Sequence, residues 1–183
     1  MSPFLATTKA DIVANQELNM SDEQFWNAKS KFMKGCYRPG ITGDPTWRAE
    51  GSPSLVTDKQ GLSSGVMLYT RPAIDICPVK LPEGMEIDST MRNPYDLIPG
   101  HLTGMIINGW VKSRFMQFSI YLDGNSKTGA KNRAILMLIG LIVAHNQLPF
   151  IITGDWNLTP EELASMGWLH TIGGYIIATD DPT

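Results

Sequence analysis

The chain has 183 residues, 43% of them hydrophobic and 18% charged, with a formal net charge of −3. That is enough apolar material for one soluble globular domain, and the balance excludes both a disordered tail and a protein that coats nucleic acid by bulk charge. The most apolar window, Ala134 to Ala144, is far short of the roughly 20 residues that cross a bilayer, so it reads as a core helix.

In chain order, Met1 to Ala6 carries no basic segment followed by a long apolar one, so no secretory signal is expected. Ala10 to Asn15 reads as a buried strand that ends at Gln16-Glu17. Ser21-Asp22-Glu23-Gln24 is a capping box opening a helix to about Lys34, with Gly35 as its stop. Phe25, Trp26, Phe32 and Met33 give that helix an apolar stripe, and Lys29 belongs to a basic face. Pro39 to Gly61 is rich in Gly, Pro, Ser and Thr, which predicts loop with one short strand at Ser54 to Thr57.

Gly65 to Tyr69 and Ile74 to Val79 are strand-like, the second alternating at period two. Pro82 to Pro99 predicts a long loop. Leu102 to Ile107 and Arg114 to Leu122 are the next strands, Phe118 and Ile120 alternating with Gln117 and Ser119. A turn at Asp123-Gly124-Asn125 precedes a helix from about Thr128 to His145. Thr159 caps a final short helix with Pro160 in its first position and Gly167 at its end, and Tyr175 to Ala178 is one more strand. Strand runs flanked by helices predict a mixed α/β sandwich without two domains.

The residues with most chemical promise are Gly154-Asp155-Trp156-Asn157. The short β-branched run from Pro149 to Thr153 predicts a fully buried strand, and Gly154 permits a close-packed backbone at its end. Asp155 and Asn157 then project from the C-terminal edge of a sheet, where α/β folds place reactive groups. A carboxylate there takes a proton from water or holds a cation, and an amide donates to a phosphate oxygen. The same residues also suit an Asx turn that merely closes a strand.

Charge is unevenly spread. Lys29, Lys31, Lys34, Arg38 and Arg48 face the single acid Asp44 between Trp26 and Arg48, and Lys112, Arg114, Lys127, Lys131 and Arg133 face Asp123. From Asp155 onward there are acids and no Lys or Arg. A positive rim beside an acidic centre follows, as do ordinary solvated faces. Cys36 and Cys77 lie far apart in no metal-spaced cluster, which fits a reducing intracellular compartment, nucleus or cytoplasm.

Four motifs occur in one order: Asp11 to Glu17, Ser63 to Leu68, Phe118 to Tyr121 followed by Asn132-Arg133, and Gly154 to Asn157. From about Ile12 to the end this resembles the endonuclease/exonuclease/phosphatase superfamily, the metal-dependent phosphoesterases related to abasic-site endonucleases and deoxyribonuclease I. Leu163 to Leu169 and Gly173 to Ala178 are similar to the versions in retroelement-type or orphan members. The resemblance implies a deoxyribonuclease I-like mixed two-sheet α/β sandwich, incomplete, with residues 1–183 as a single partial domain. It implies Glu17 as a ligand for Mg2+ or Mn2+ with Gln16 supporting it, Tyr121 bonding the scissile phosphate, Asp155 activating water, and Asn157 holding water or phosphate. Trp156 is expected to pack into the core.

The resemblance also has gaps. The family's asparagine-bearing first strand has no counterpart, since Met1 to Ala10 contains no Asn, and its closing Asp-His pair is missing from Asp180-Asp181-Pro182-Thr183. His101, His145 and His170 sit where surface or cap roles explain them. The expectation is therefore a hydrolytic family function, with this chain alone weak or inactive. The implied partner is nucleic acid, DNA before RNA, with further domains of a larger polyprotein and no membrane. A phosphatase or phosphodiesterase acting on a small or lipid phosphate, and a non-catalytic nucleic-acid-binding remnant, are the competing readings.

Overall fold

The computed structural model of the chain describes residues 5, 8–35, 47–57, 59–83, 85, 96–109 and 113–177. Cys36 and Ala178 lie outside them, as does most of the stretch expected to be loop after Pro82. Two sheets lie face to face, with a helix on each outer side. The first sheet contains β1 (Ile12–Gln16), β5 (Val66–Thr70) and β2 (Arg48–Ser52), in the order β1-β5-β2, with both pairings antiparallel. The second runs β10-β9-β8-β6, where β10 is Phe150–Asp155, β9 Arg114–Tyr121, β8 Leu102–Asn108 and β6 Asp75–Pro78; β7 (Asp96–Ile98) also pairs with β8. A small hairpin joins β3 (Leu55–Val56) to β4 (Leu62–Ser63). The mixed two-sheet α/β architecture is the expected one.

Each layer boundary has its own apolar cluster. Helix α1 (Asp22–Gly35) lays Phe25 against Val13, Trp47, Ala49, Met67 and Tyr69 on the outer face of the first sheet. Leu68, Ile74, Met105 and Ile107 fill the space between the sheets. Helix α2 (Ala130–Asn146) puts Ile135, Ile139, Ile142 and Val143 on Met116, Phe118 and Ile120 of the second sheet. Burying one such side chain stabilises the fold by about 1.5–3 kcal/mol. Two short helices follow β10: α3 (Pro160–Ser165), then α4 (Trp168–Ile172), whose Trp168 indole donates to the Leu136 carbonyl of α2 at 2.9 Å.

Local signals account for most boundaries. Ser21 and Gln24 exchange the two bonds of a capping box, 3.0 and 3.3 Å, and Thr159 and Glu162 do the same at α3. Gln147 closes α2 in the left-handed conformation, its N–H reaching the Val143 carbonyl.

Several expectations are corrected. β10 is no fully buried strand but the margin of its sheet, and Ile151 is 50% exposed. β2 occupies part of a predicted loop; its Arg-Ala-Glu-Gly-Ser sequence pairs with β5 because Gly51 lets the two backbones close. β7 likewise forms within the predicted Pro82–Pro99 loop. Tyr175 to Ile177 joins no strand. Lys29 does not belong to a solvated face: it is 8% exposed and pairs with Glu50 at 2.5 Å, its ammonium also 5.1 Å from the Trp26 ring.

Candidate active site

The C-terminal ends of β1, β9 and β10 meet at one end of the sandwich. Because β9 and β10 are parallel and in register, Tyr121 lies directly beside Asp155. Along β9, Gln117, Ser119 and Tyr121 share the face opposite to that of Phe118 and Ile120, so they look toward the first sheet. There Gln16 of β1 donates from Nε2 to Ser119 Oγ at 2.8 Å, a polar tie between the sheets. Glu17, one residue on, turns out of the strand with φ 51°. Its Oε1 accepts the Tyr121 hydroxyl at 3.0 Å across 104 residues of sequence.

Asp155 and Asn157 are held by the turn that ends β10. The Asn157 main-chain N–H donates to Asp155 Oδ1 at 3.2 Å, and Asn157 itself sits at φ 48°. The Asn157 amide donates to the Leu122 carbonyl at 2.8 Å, while Leu122 N–H donates to the Asp155 carbonyl at 2.9 Å. The Asx turn and the projecting carboxylate are thus one arrangement. Trp156 packs against the α2 core, its ring 6.3 Å from that of Trp168.

Acidic side chains dominate the electrostatics of the site. Burial, the Glu17 hydrogen bond, and the charges of Glu17, Asp155 and Asp123 push the Tyr121 phenol up to about 12. Among the described residues no Lys, Arg or His side chain is bonded to Glu17 or Asp155. A phosphate dianion is repelled by such a site unless a cation intervenes. The available donors are carboxylate, hydroxyl and amide oxygens, which suit hard Mg2+ or Mn2+ and not a soft metal. No three His, Cys, Asp or Glu side chains among the described residues form a ready ligand cluster. Mg2+ does not need one, since it keeps several waters and takes one or two carboxylates with substrate phosphate.

Four neighbours were given no site role by the sequence, although Asn132 belongs to one of the four motifs. Asp123 accepts from the Asn125 N–H at 2.8 Å and adds its charge to the site. Asn132, 1% exposed at the start of α2, bonds Asp123 in both directions (2.9 and 3.0 Å) and donates to the Ser126 and Lys127 carbonyls, folding the loop beside the site. Gly124 of that loop lies against Asn157. His101 is no surface or cap residue: it is 4% exposed and contacts Tyr121.

The model of the "Endonuclease/Exonuclease/phosphatase family" matches residues 2–175. Among solved structures, the human Nocturnin catalytic domain with bound sulfate anion superposes with a TM-score of 0.53 at 12% identity, over 88% of this chain and 57% of that one. An endonuclease/exonuclease/phosphatase family protein from Leptotrichia buccalis C-1013-b gives 0.48 at 16% identity, over 92% and 63%. Humanised D. rerio TDP2 with 14 mutations gives 0.46 at 14%, over 94% and 61%. The chain therefore spans about three fifths of these neighbours' length. No curated protein matches it by sequence.

Proposed function

The chain belongs to the endonuclease/exonuclease/phosphatase family, and from that premise we propose that it carries the centre of a metal-dependent phosphodiesterase of endonuclease type. One observation supports this above the others: Tyr121 and Glu17, from different sheets, bond at 3.0 Å with Asp155 in register alongside. Residues 1–183 are read as one partial domain, and turnover is expected to be slow.

Glu17, bonded to Tyr121 with Asp155 on the strand beside that tyrosine, would be the carboxylate to hold Mg2+ or Mn2+. The bound ion supplies positive charge to a phosphate that the acids alone would repel. Asp155 takes the proton of the attacking water, its orientation fixed by the Asn157 N–H. Water oxygen bonds to phosphorus, the opposite ester P–O bond breaks, and the leaving alkoxide takes a proton from solvent water, so that a phosphomonoester and an alcohol result while Asp155 returns its proton to solvent. Tyr121 is protonated throughout neutral pH and donates to a phosphate oxygen when substrate enters. Asn157 spends one amide hydrogen on Leu122, so its main role is to hold Asp155, with the second hydrogen left for water or phosphate.

Exposed Lys131 and Arg133 near the loop beside the site favour a polyanionic substrate such as nucleic acid, and the family resemblance puts DNA before RNA. The test is Mg2+-dependent cleavage of supercoiled DNA, abasic-site DNA, RNA and inositol phosphates, each with and without chelator. Cleavage of DNA that falls roughly 100-fold or more in Glu17→Ala and Asp155→Ala is expected. Turnover of inositol phosphates alone would move the assignment to a small-molecule phosphatase. DNA binding without turnover, unaltered in both variants, would leave a binding remnant.

A further inference from the structure

His101 precedes β8 and is 4% exposed, yet it bears the one imidazole placed against the candidate site among the described residues. Its Nδ1 lies 2.7 Å from the Tyr121 carbonyl oxygen. A carbonyl only accepts, so Nδ1 carries the proton. Burial lowers the imidazole pKa, with Lys131 acting in the same direction and the Tyr121 hydrogen bond and Asp123 opposing, which leaves a neutral ring at pH 7. The Tyr121 N–H in turn donates to the His101 carbonyl at 2.8 Å, and the two rings stand 5.6 Å apart, tilted by 43°. The β8–β9 register ends at Leu102–Ile120. Tyr121 thus lies one residue past that pairing, and His101 extends the ladder to it through both main chain and side chain.

We propose that His101 is a positioning residue: by capturing the carbonyl of Tyr121 and packing against its ring, it aims the Tyr121 hydroxyl at Glu17 on the opposite sheet. The inference rests on the reading of Tyr121 as part of the reactive site. A buried imidazole is a costly way to finish a strand, since any main-chain donor or water at a sheet end satisfies a carbonyl. What the imidazole adds is orientation. It constrains the last residue of β9 from below while β10 constrains it from the side.

Two variants separate positioning from plain stability. His101→Asn keeps an N–H donor at about the place of Nδ1, whereas His101→Leu keeps the bulk and removes the donor. The contact between the Tyr121 ring and the Glu17 side chain is followed as NOEs in ring-labelled protein at pH 7, assigned with Tyr121→Phe. In parallel, kcat and KM are measured for Mg2+-dependent hydrolysis of bis-p-nitrophenyl phosphate. In His101→Leu the NOEs between Tyr121 and Glu17, whose side chains bond at 3.0 Å in the wild type, are expected to be lost. Its kcat should drop by on the order of tenfold with KM unchanged, and His101→Asn should restore both the NOEs and kcat. Equal NOEs and equal kcat in wild type and His101→Leu would overturn the proposal, as would an Asn variant no better than the Leu variant. If the wild type hydrolyses nothing, the phosphodiesterase reading fails and the NOEs alone decide the role of His101. If His101→Leu does not fold, an Asn variant without the NOEs overturns the proposal and one with the wild-type NOEs supports it.

Discussion

At the level of single residues, Tyr121 condenses the chemistry of the site. Its phenol is held up to about 12 by burial first and by the Glu17 hydrogen bond next. Glu17→Gln should therefore lower that titration without returning it to the ordinary value, and NMR of the labelled ring reads the change. The folded state keeps the proton to higher pH than the unfolded chain, so this contribution to stability is whole below about pH 10. It is lost as pH rises through about 12. Urea midpoints at pH 9 and 11.5 should differ less for Tyr121→Phe than for wild type. Asn132 is the structural counterpart: Asn132→Ala leaves a buried loop without its donors and acceptor and is expected to cost about 2–4 kcal/mol in urea unfolding. Asp155 and Asn157 were legible in the sequence because they follow a recognisable apolar run, whereas Glu17 and Tyr121 were named through the family resemblance of the motifs they end. Asp123 and His101 were not, and Asn132 was named in a motif without a role, because all three mainly bond backbone atoms of loops and strand ends, which leave no pattern of residue types.

Among the elements, helices α1, α2 and α3 were readable, since caps and apolar stripes are written locally, whereas α4 beyond Gly167 was not foreseen. Strand β2 was hidden by its polar composition and becomes a strand only through β5. A Cβ on Gly51 would stand 2.2 Å from the Val66 carbonyl oxygen, so the pairing needs glycine there. The converse holds for Tyr175 to Ile177, whose apolar residues read as a strand but have no partner within the described residues. Composition cannot reveal a missing neighbour. Gly154 shows how tightly β10 meets β9, for an added Cβ would lie 2.1 Å from the Ile120 carbonyl oxygen. Gly154→Ala is expected to destabilise by more than about 3 kcal/mol and to misplace Asp155. Gly167→Ala, at φ 68° with nothing within 4 Å, should cost only about 1 kcal/mol. Thermal and urea melts of the two variants provide the comparison.

On the scale of the whole molecule, the four-layer order of helix, sheet, sheet and helix was foreseeable in kind, while the place of β10 at the margin of its sheet was not. β10 presents an uncharged edge from Phe150 to Thr153 with Ile151 half exposed, the kind of surface that recruits other chains. Ile151→Lys should reduce concentration-dependent association in sedimentation without altering catalysis, since the side chain is remote from the bonded groups of the site. A different consequence follows from the Glu17–Tyr121 bond. The reactive groups are mounted on two separate plates whose relative slide sets the gap between them, much as a caliper's jaws depend on its frame. Mild heating or low urea that lets the plates shift by a fraction of an ångström should therefore silence turnover while circular dichroism still reports intact strands and helices.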